Sequence, residues 1–145
     1  LTPKGYGRVT FNGMGKILST AEKITISATA ATGTINYDVI TQSVLYYTTA
    51  SSGNFTVNLR GDGSNSMNNI MDTGESVTVA FLVTNTGTPY YNSAVQVDGS
   101  GVTPEWQGGA APSAGNANSV DSYSYTIVKT GDTAFTVFAS QVQFA

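Results

Sequence analysis

The acid–base chemistry open to this chain rests on nine carboxylates, Glu22, Asp38, Asp62, Asp72, Glu75, Asp98, Glu105, Asp121 and Asp132, because it has no histidine and no cysteine. That composition removes the side chain that titrates near neutral pH, the thiol nucleophile and the usual ligands of transition metals. A Ser-His-Asp arrangement is impossible. Two facing carboxylates could still hydrolyse a glycosidic bond. Most of the nine, however, neighbour Gly or Thr at turn positions, where a carboxylate ordinarily accepts backbone N–H groups. The expectation is a protein that is not an enzyme and uses no catalytic residue, metal or cofactor.

Three short motifs are weaker than they look. Asp62-Gly63-Ser64-Asn65-Ser66 is rich in oxygen but lacks the regularly spaced acids and the closing Glu of a calcium loop, so it reads as a turn that feeds a helix cap. Arg60-Gly61-Asp62 spells the integrin-recognition tripeptide at what reads as a strand-to-turn junction, where fold geometry alone accounts for it. Asn54-Phe55-Thr56 fits a glycosylation sequon inside an expected strand.

Aromatic residues give the better binding candidates. Tyr90, Tyr91 and Trp106, with Gln107 beside the only tryptophan, flank a loop rich in Gly, Pro, Asn and Ser. One reading puts these rings under the loop as satellite core, since large aromatics are mostly buried. The other makes them an interface or a stacking platform for sugar, because Tyr and Trp dominate protein interfaces.

The elements that must position these residues read as strands. At 145 residues the chain is one domain's worth, and only 10% of it is charged, with Thr, Val and Tyr enriched over the good helix formers. Expected strands cover 24–28, 34–39, 43–47, 54–60, 75–85, 94–97, 102–107, 121–129 and 133–139, the last two joined as a hairpin through Thr130-Gly131-Asp132. In 75–85, Val77, Val79, Phe81 and Val83 share one face while Ala80 and Leu82 make the other partly apolar, as in a strand central in its sheet. Met67, Ile70 and Met71 shift to helical spacing and predict a helix of about two turns over 64–72, capped by Ser64 or Asn65. The fold class is all-β: a single antiparallel β-sandwich, jelly-roll-like, with one short helix.

Residues 1–23 stand apart from this sandwich domain of 24–145. Gly5, Gly7, Gly13 and Gly15 interrupt Val9, Phe11, Ile17 and Leu18, so the segment reads as an irregular arm, either an edge of the same domain or an anchor that crosses to a neighbouring subunit. Leu1 is an unusual initial residue, and the chain is expected to begin upstream of it. The six basic residues are too scattered to make a nucleic-acid surface, and no apolar run approaches the roughly 20 residues a membrane-spanning helix needs.

Several motifs occur in one order: Asn58-Leu59-Arg60-Gly61, Met71-Asp72-Thr73-Gly74-Glu75-Ser76, Tyr90-Tyr91, Val97-Asp98-Gly99, Trp106-Gln107-Gly108-Gly109 and Thr126-Ile127-Val128-Lys129-Thr130-Gly131. Together they resemble a C-terminal β-domain of decoration- and fibre-type virion structural proteins of tailed phages, above all those infecting marine cyanobacteria. The resemblance runs from about residue 31 to the end and leaves the arm unaligned. It implies a non-enzymatic structural protein on the exterior of a phage particle, a capsid decoration or fibre subunit. Its implied partners are copies of itself, commonly as a homotrimer, and other virion proteins such as the major capsid or tail and fibre proteins. One alternative is the distal receptor-binding domain of a tail fibre, recognising a host surface glycan or protein. Another is a cellular carbohydrate-binding module.

Overall fold

A computed structural model describes residues 2–4 and 8–144. Leu1, residues 5–7 of the arm and Ala145 lie outside the described residues. Two short strands, β1 (Thr2–Lys4) and β2 (Arg8–Thr10), pair antiparallel. Ten more follow: β3 (Ile24–Ala30), β4 (Gly33–Asp38), β5 (Val44–Thr49), β6 (Phe55–Arg60), β7 (Ser76–Thr84), β8 (Asn92–Val97), β9 (Ser100–Val102), β10 (Glu105–Trp106), β11 (Val120–Gly131) and β12 (Ala134–Phe144). One short helix, α1 (Met67–Ile70), lies between β6 and β7.

Strand alternation decides which side chains are covered. Val79, Phe81 and Val83 of β7 are buried on the face they share with Asp121, Tyr123, Tyr125, Ile127 and Lys129 of β11, at the period of two that a pleated strand imposes. The six-stranded sheet runs β10-β12-β11-β7-β5-β3 and packs on a four-stranded sheet, β4-β6-β8-β9. Between them Phe55 meets Phe81 and Tyr123 edge-on, both at centroid separations of 5.7 Å, the arrangement that ring quadrupoles favour. Tyr37 of β4 reaches across the core, its hydroxyl 2.7 Å from the Ser43 carbonyl and 3.0 Å from that of Ala80. Burying a polar ring requires such a partner, and this one ties the two sheets together.

The all-β sandwich expected from the sequence is present, but its direction is mixed. Pairing is antiparallel in β7-β11-β12 and β8-β9, whereas β3-β5-β7, β4-β6-β8 and β10-β12 pair parallel. From β3 to β8 the chain changes sheet at every strand. Two reversals return it to its original direction, so strands two apart in sequence become parallel neighbours. The returning strand supplies the long crossover that a parallel pair needs. This winding replaces the wholly antiparallel, jelly-roll-like expectation for the first half of the domain.

The helix is shorter than expected, one turn over Met67–Ile70, with Ser66 and not Ser64 or Asn65 at its cap, accepting from Asn69 N at 3.1 Å. Met71 is already extended at φ −112°. Both Met67 and Met71 are nevertheless buried, which satisfies the apolar spacing without a second turn. Residues 9–22 are exposed throughout. Among the described residues, no helix is long and apolar enough to cross a membrane.

Candidate functional site

Most of the charged and polar side chains in the ordered motifs meet at one end of the sandwich, where they serve the backbone. Asp98, in the β8–β9 turn at φ +52°, accepts from Met67 N at 2.7 Å and Asn68 N at 3.1 Å, and so caps α1 from the four-stranded sheet. Lys129 is 6% exposed and donates from Nζ to the carbonyls of Asn68 at 2.6 Å and Met71 at 2.8 Å. Asn58 Oδ1 accepts from Gly99 N at 2.8 Å. The helix is thus held at its start by an anion and at its end by a cation, matching the sign of its dipole.

The neighbouring tripeptide is occupied in the same way. Arg60 Nε pairs with Asp38 Oδ1 at 2.6 Å, while Asp62 Oδ1 accepts from the backbone N–H groups of Ser64 and Asn65, both at 2.7 Å. Gly61 between them is buried, and a Cβ there would stand 2.4 Å from the Asn65 carbonyl oxygen. The Asp62 segment is a tight turn leading to the helix cap, and hydrogen bonds from Ser64 and Asn65 hold the Asp62 carboxyl below its ordinary value.

At the opposite end, β10 brings Trp106 beside Ala139 of β12, half-buried against the core. A 3-10 turn at Gln107–Gly109 then leads the chain away, with Gly108 and Gly109 both at φ +79°. Trp106, Gln107, the 110–114 stretch and residues 141–143 line an open depression of about 750 Å³. Gln141 joins its wall to a buried polar cluster. Asp121 is fully buried and accepts at Oδ2 from Asn85 Nδ2 at 3.1 Å, Asn116 N at 3.0 Å and Gln141 Nε2 at 3.2 Å. Burial pushes the Asp121 carboxyl above its ordinary value, against the lowering effect of those three donors. Asn85 Oδ1 in turn accepts from Ser51 Oγ and from Tyr90 N.

The expected aromatic group therefore divides. Trp106 and exposed Gln107 share the depression, and Tyr90 and Tyr91 are not among its walls. Both tyrosines are half-buried at the entry to β8, where Tyr91 N donates to Asn54 Oδ1 at 3.3 Å. Of the ring pairs among the described residues, none involves Tyr90, Tyr91 or Trp106. No family model, curated protein or solved structure matches the chain.

The arm residues Val9, Phe11, Ile17 and Leu18 are 50%, 54%, 64% and 87% exposed, and Met14 between them is wholly so. Val9, Phe11 and Ile17 contribute to a cleft of about 770 Å³ closed on its other side by Val39, Ile40, Ile70, Met71 and Val77. Among the described residues no three acidic side chains gather as metal ligands would. What the sequence reading missed is the inward-facing charge. Asp121 and Lys129 fall on the same parity of β11 as Tyr123, Tyr125 and Ile127, and that parity is the signal that marks them as buried.

Proposed function

We propose that this protein is a non-enzymatic structural subunit of the exterior of a phage particle, a decoration or fibre-type β-domain that docks through its N-terminal arm and associates with copies of itself. The observation that carries the reading is the arm. Five large apolar side chains, Val9, Phe11, Met14, Ile17 and Leu18, stand at least half exposed within ten residues. Isolated apolar residues on a surface are ordinary, but a contiguous group marks a contact site. The virion setting comes from the ordered motifs and their resemblance to phage structural proteins, which also implies three copies per assembly. Consistent with a building role, motif side chains such as Asn58, Asp98 and Lys129 are spent on caps and turns.

The test is reconstitution. Particles of the phage encoding this chain, stripped of it, should take up the full-length protein and should fail to take up a form in which Val9, Phe11, Ile17 and Leu18 are all serine. Equal uptake of both forms would remove the arm as the anchor.

A second reading has one feature in its favour. The depression beside Trp106 places its indole with the amides of Gln107 and Gln143, the mixture of flat apolar and hydrogen-bonding surface that sugars require. Under that reading the domain is a distal receptor-binding module for a host surface glycan. Glycan-array binding abolished by Trp106→Ala in a folded protein would favour it over decoration.

A further inference from the structure

The outer face of the six-stranded sheet has the composition of a covered surface. Parallel sheets are ordinarily buried on both sides, and their strands then carry apolar residues on both faces. In the parallel part of this sheet the outward positions hold Ile24 and Ile26 on β3, Val44 and Tyr46 on β5, and Ala80 and Leu82 on β7, aligned by register across the three strands. Ile24 is 44% and Ile26 66% exposed, so the described residues leave much of both side chains uncovered. The surface continues across β11, whose outward Ser122, Ser124 and Thr126 are uncharged, to Phe138 and Val142 of β12, 50% and 47% exposed. Among the described residues, one charged side chain stands on this face from β3 to β10. It is Glu105, at the β10 edge opposite Phe138.

We infer that a second copy of this chain packs on this face, an inference that rests on the proposed self-association and names its surface. An uncharged face can meet its own copy in any register without setting like charges together. The dimensions also fit. Three strands of nine or more residues and two of six or seven make a flat area of about 700 Å² at the usual strand spacing and rise, before side-chain relief is added. Stable interfaces bury about 600–1,000 Å² on each partner. Among the described residues no strand pairs on the outer side of β3, which bears Ile24 and Ile26 and has no Pro or Lys within it to discourage approach.

Sedimentation of the full 145-residue chain well above micromolar concentration tests this directly. The wild-type chain is expected as an oligomer, and Ile26→Lys with Phe138→Lys as a monomer, association weakened about a hundredfold or more with circular dichroism unchanged. Ser124→Glu, a polar position in the middle of the face, should cause the same loss with every apolar residue intact. A monomeric wild-type chain overturns the inference, as does an oligomer that survives both variants. So does an oligomer lost only when residues 9–18 are removed, which would assign self-contact to the arm. A monomeric wild-type chain would also remove the self-association of the proposed function, though not its virion setting, whereas an oligomer that survives both variants would remove only the surface assigned here.

Discussion

The Lys129 ammonium lies 2.6 Å from the main-chain oxygen of Asn68, sixty-one residues away in sequence, and this contact closes the end of α1 against β11. With the second bond to Met71 at 2.8 Å, a buried cation completes carbonyls that a one-turn helix leaves unsatisfied. Lys129→Met keeps the apolar stem and removes both donors. Hydrogen bonds to charged groups contribute about 1.5–3 kcal/mol each, and their effects overlap here, so the variant should lose about 3 kcal/mol in urea unfolding. A change below about 0.5 kcal/mol, the level of an ordinary surface substitution, would return Lys129 to the status of a surface residue.

Two carboxylates give opposite pH signatures. Asp62 is held below its ordinary value, so its stabilising contribution is present above that value and is lost as pH falls through the folded one. Asp121 is raised by burial, so its contribution is fully present below the ordinary carboxylate value and is lost as pH rises through the folded one. Thermal melts across the acid range should therefore show a shallower acid limb for Asp62→Asn. For Asp121→Asn they should show a smaller decline of stability as pH rises from the acid range toward neutrality. Identical profiles for both variants and the parent would contradict these assignments.

Gly115 has no room for a side chain. A Cβ there would stand 2.3 Å from the Tyr90 carbonyl oxygen, 2.8 Å from Asn85 Nδ2 and 3.0 Å from Asp121 Oδ2. Gly115→Ala should therefore break the polar cluster and free the loop after Trp106, seen as faster limited proteolysis between residues 107 and 119. Gly101→Ala is the control, since a Cβ at that position meets nothing within 4 Å.

Trp106→Ala separates core from interface. Its indole is half-buried against the chain's own core. The substitution should lower Tm at a cost of about 2–3 kcal/mol, somewhat under the range for a wholly buried ring, and leave the order of assembly unchanged. Dissociation without loss of monomer stability would make Trp106 an interface anchor.

The strands and their inward faces were legible because alternation is a property of each strand alone. The segment expected at 75–85 is β7 (Ser76–Thr84), with Val79, Phe81 and Val83 inward as anticipated. Strand direction was not legible, since the period of two is the same in parallel and antiparallel sheets and a turn between sheets reads like a hairpin turn. The breaks expected between 24–28, 34–39 and 43–47 fall at the passages between sheets but say nothing of which sheet receives the chain. Asp121, Asn85 and Ser51 look like turn formers in sequence, yet they meet across separations of 34 and 36 residues. Tyr90 and Tyr91 were grouped with Trp106 by proximity in the chain, and the separate entries of β8 and β10 pull them apart.

Copy number on the particle tests the central claim most directly. On the proposed reading, gradient-purified particles from the source of this chain, quantified by mass spectrometry with isotope-labelled peptides, should contain it in many copies per particle, and antibodies against it should label intact particles. Its absence from purified virions, while present in infected cells, would contradict a structural role on the virion exterior.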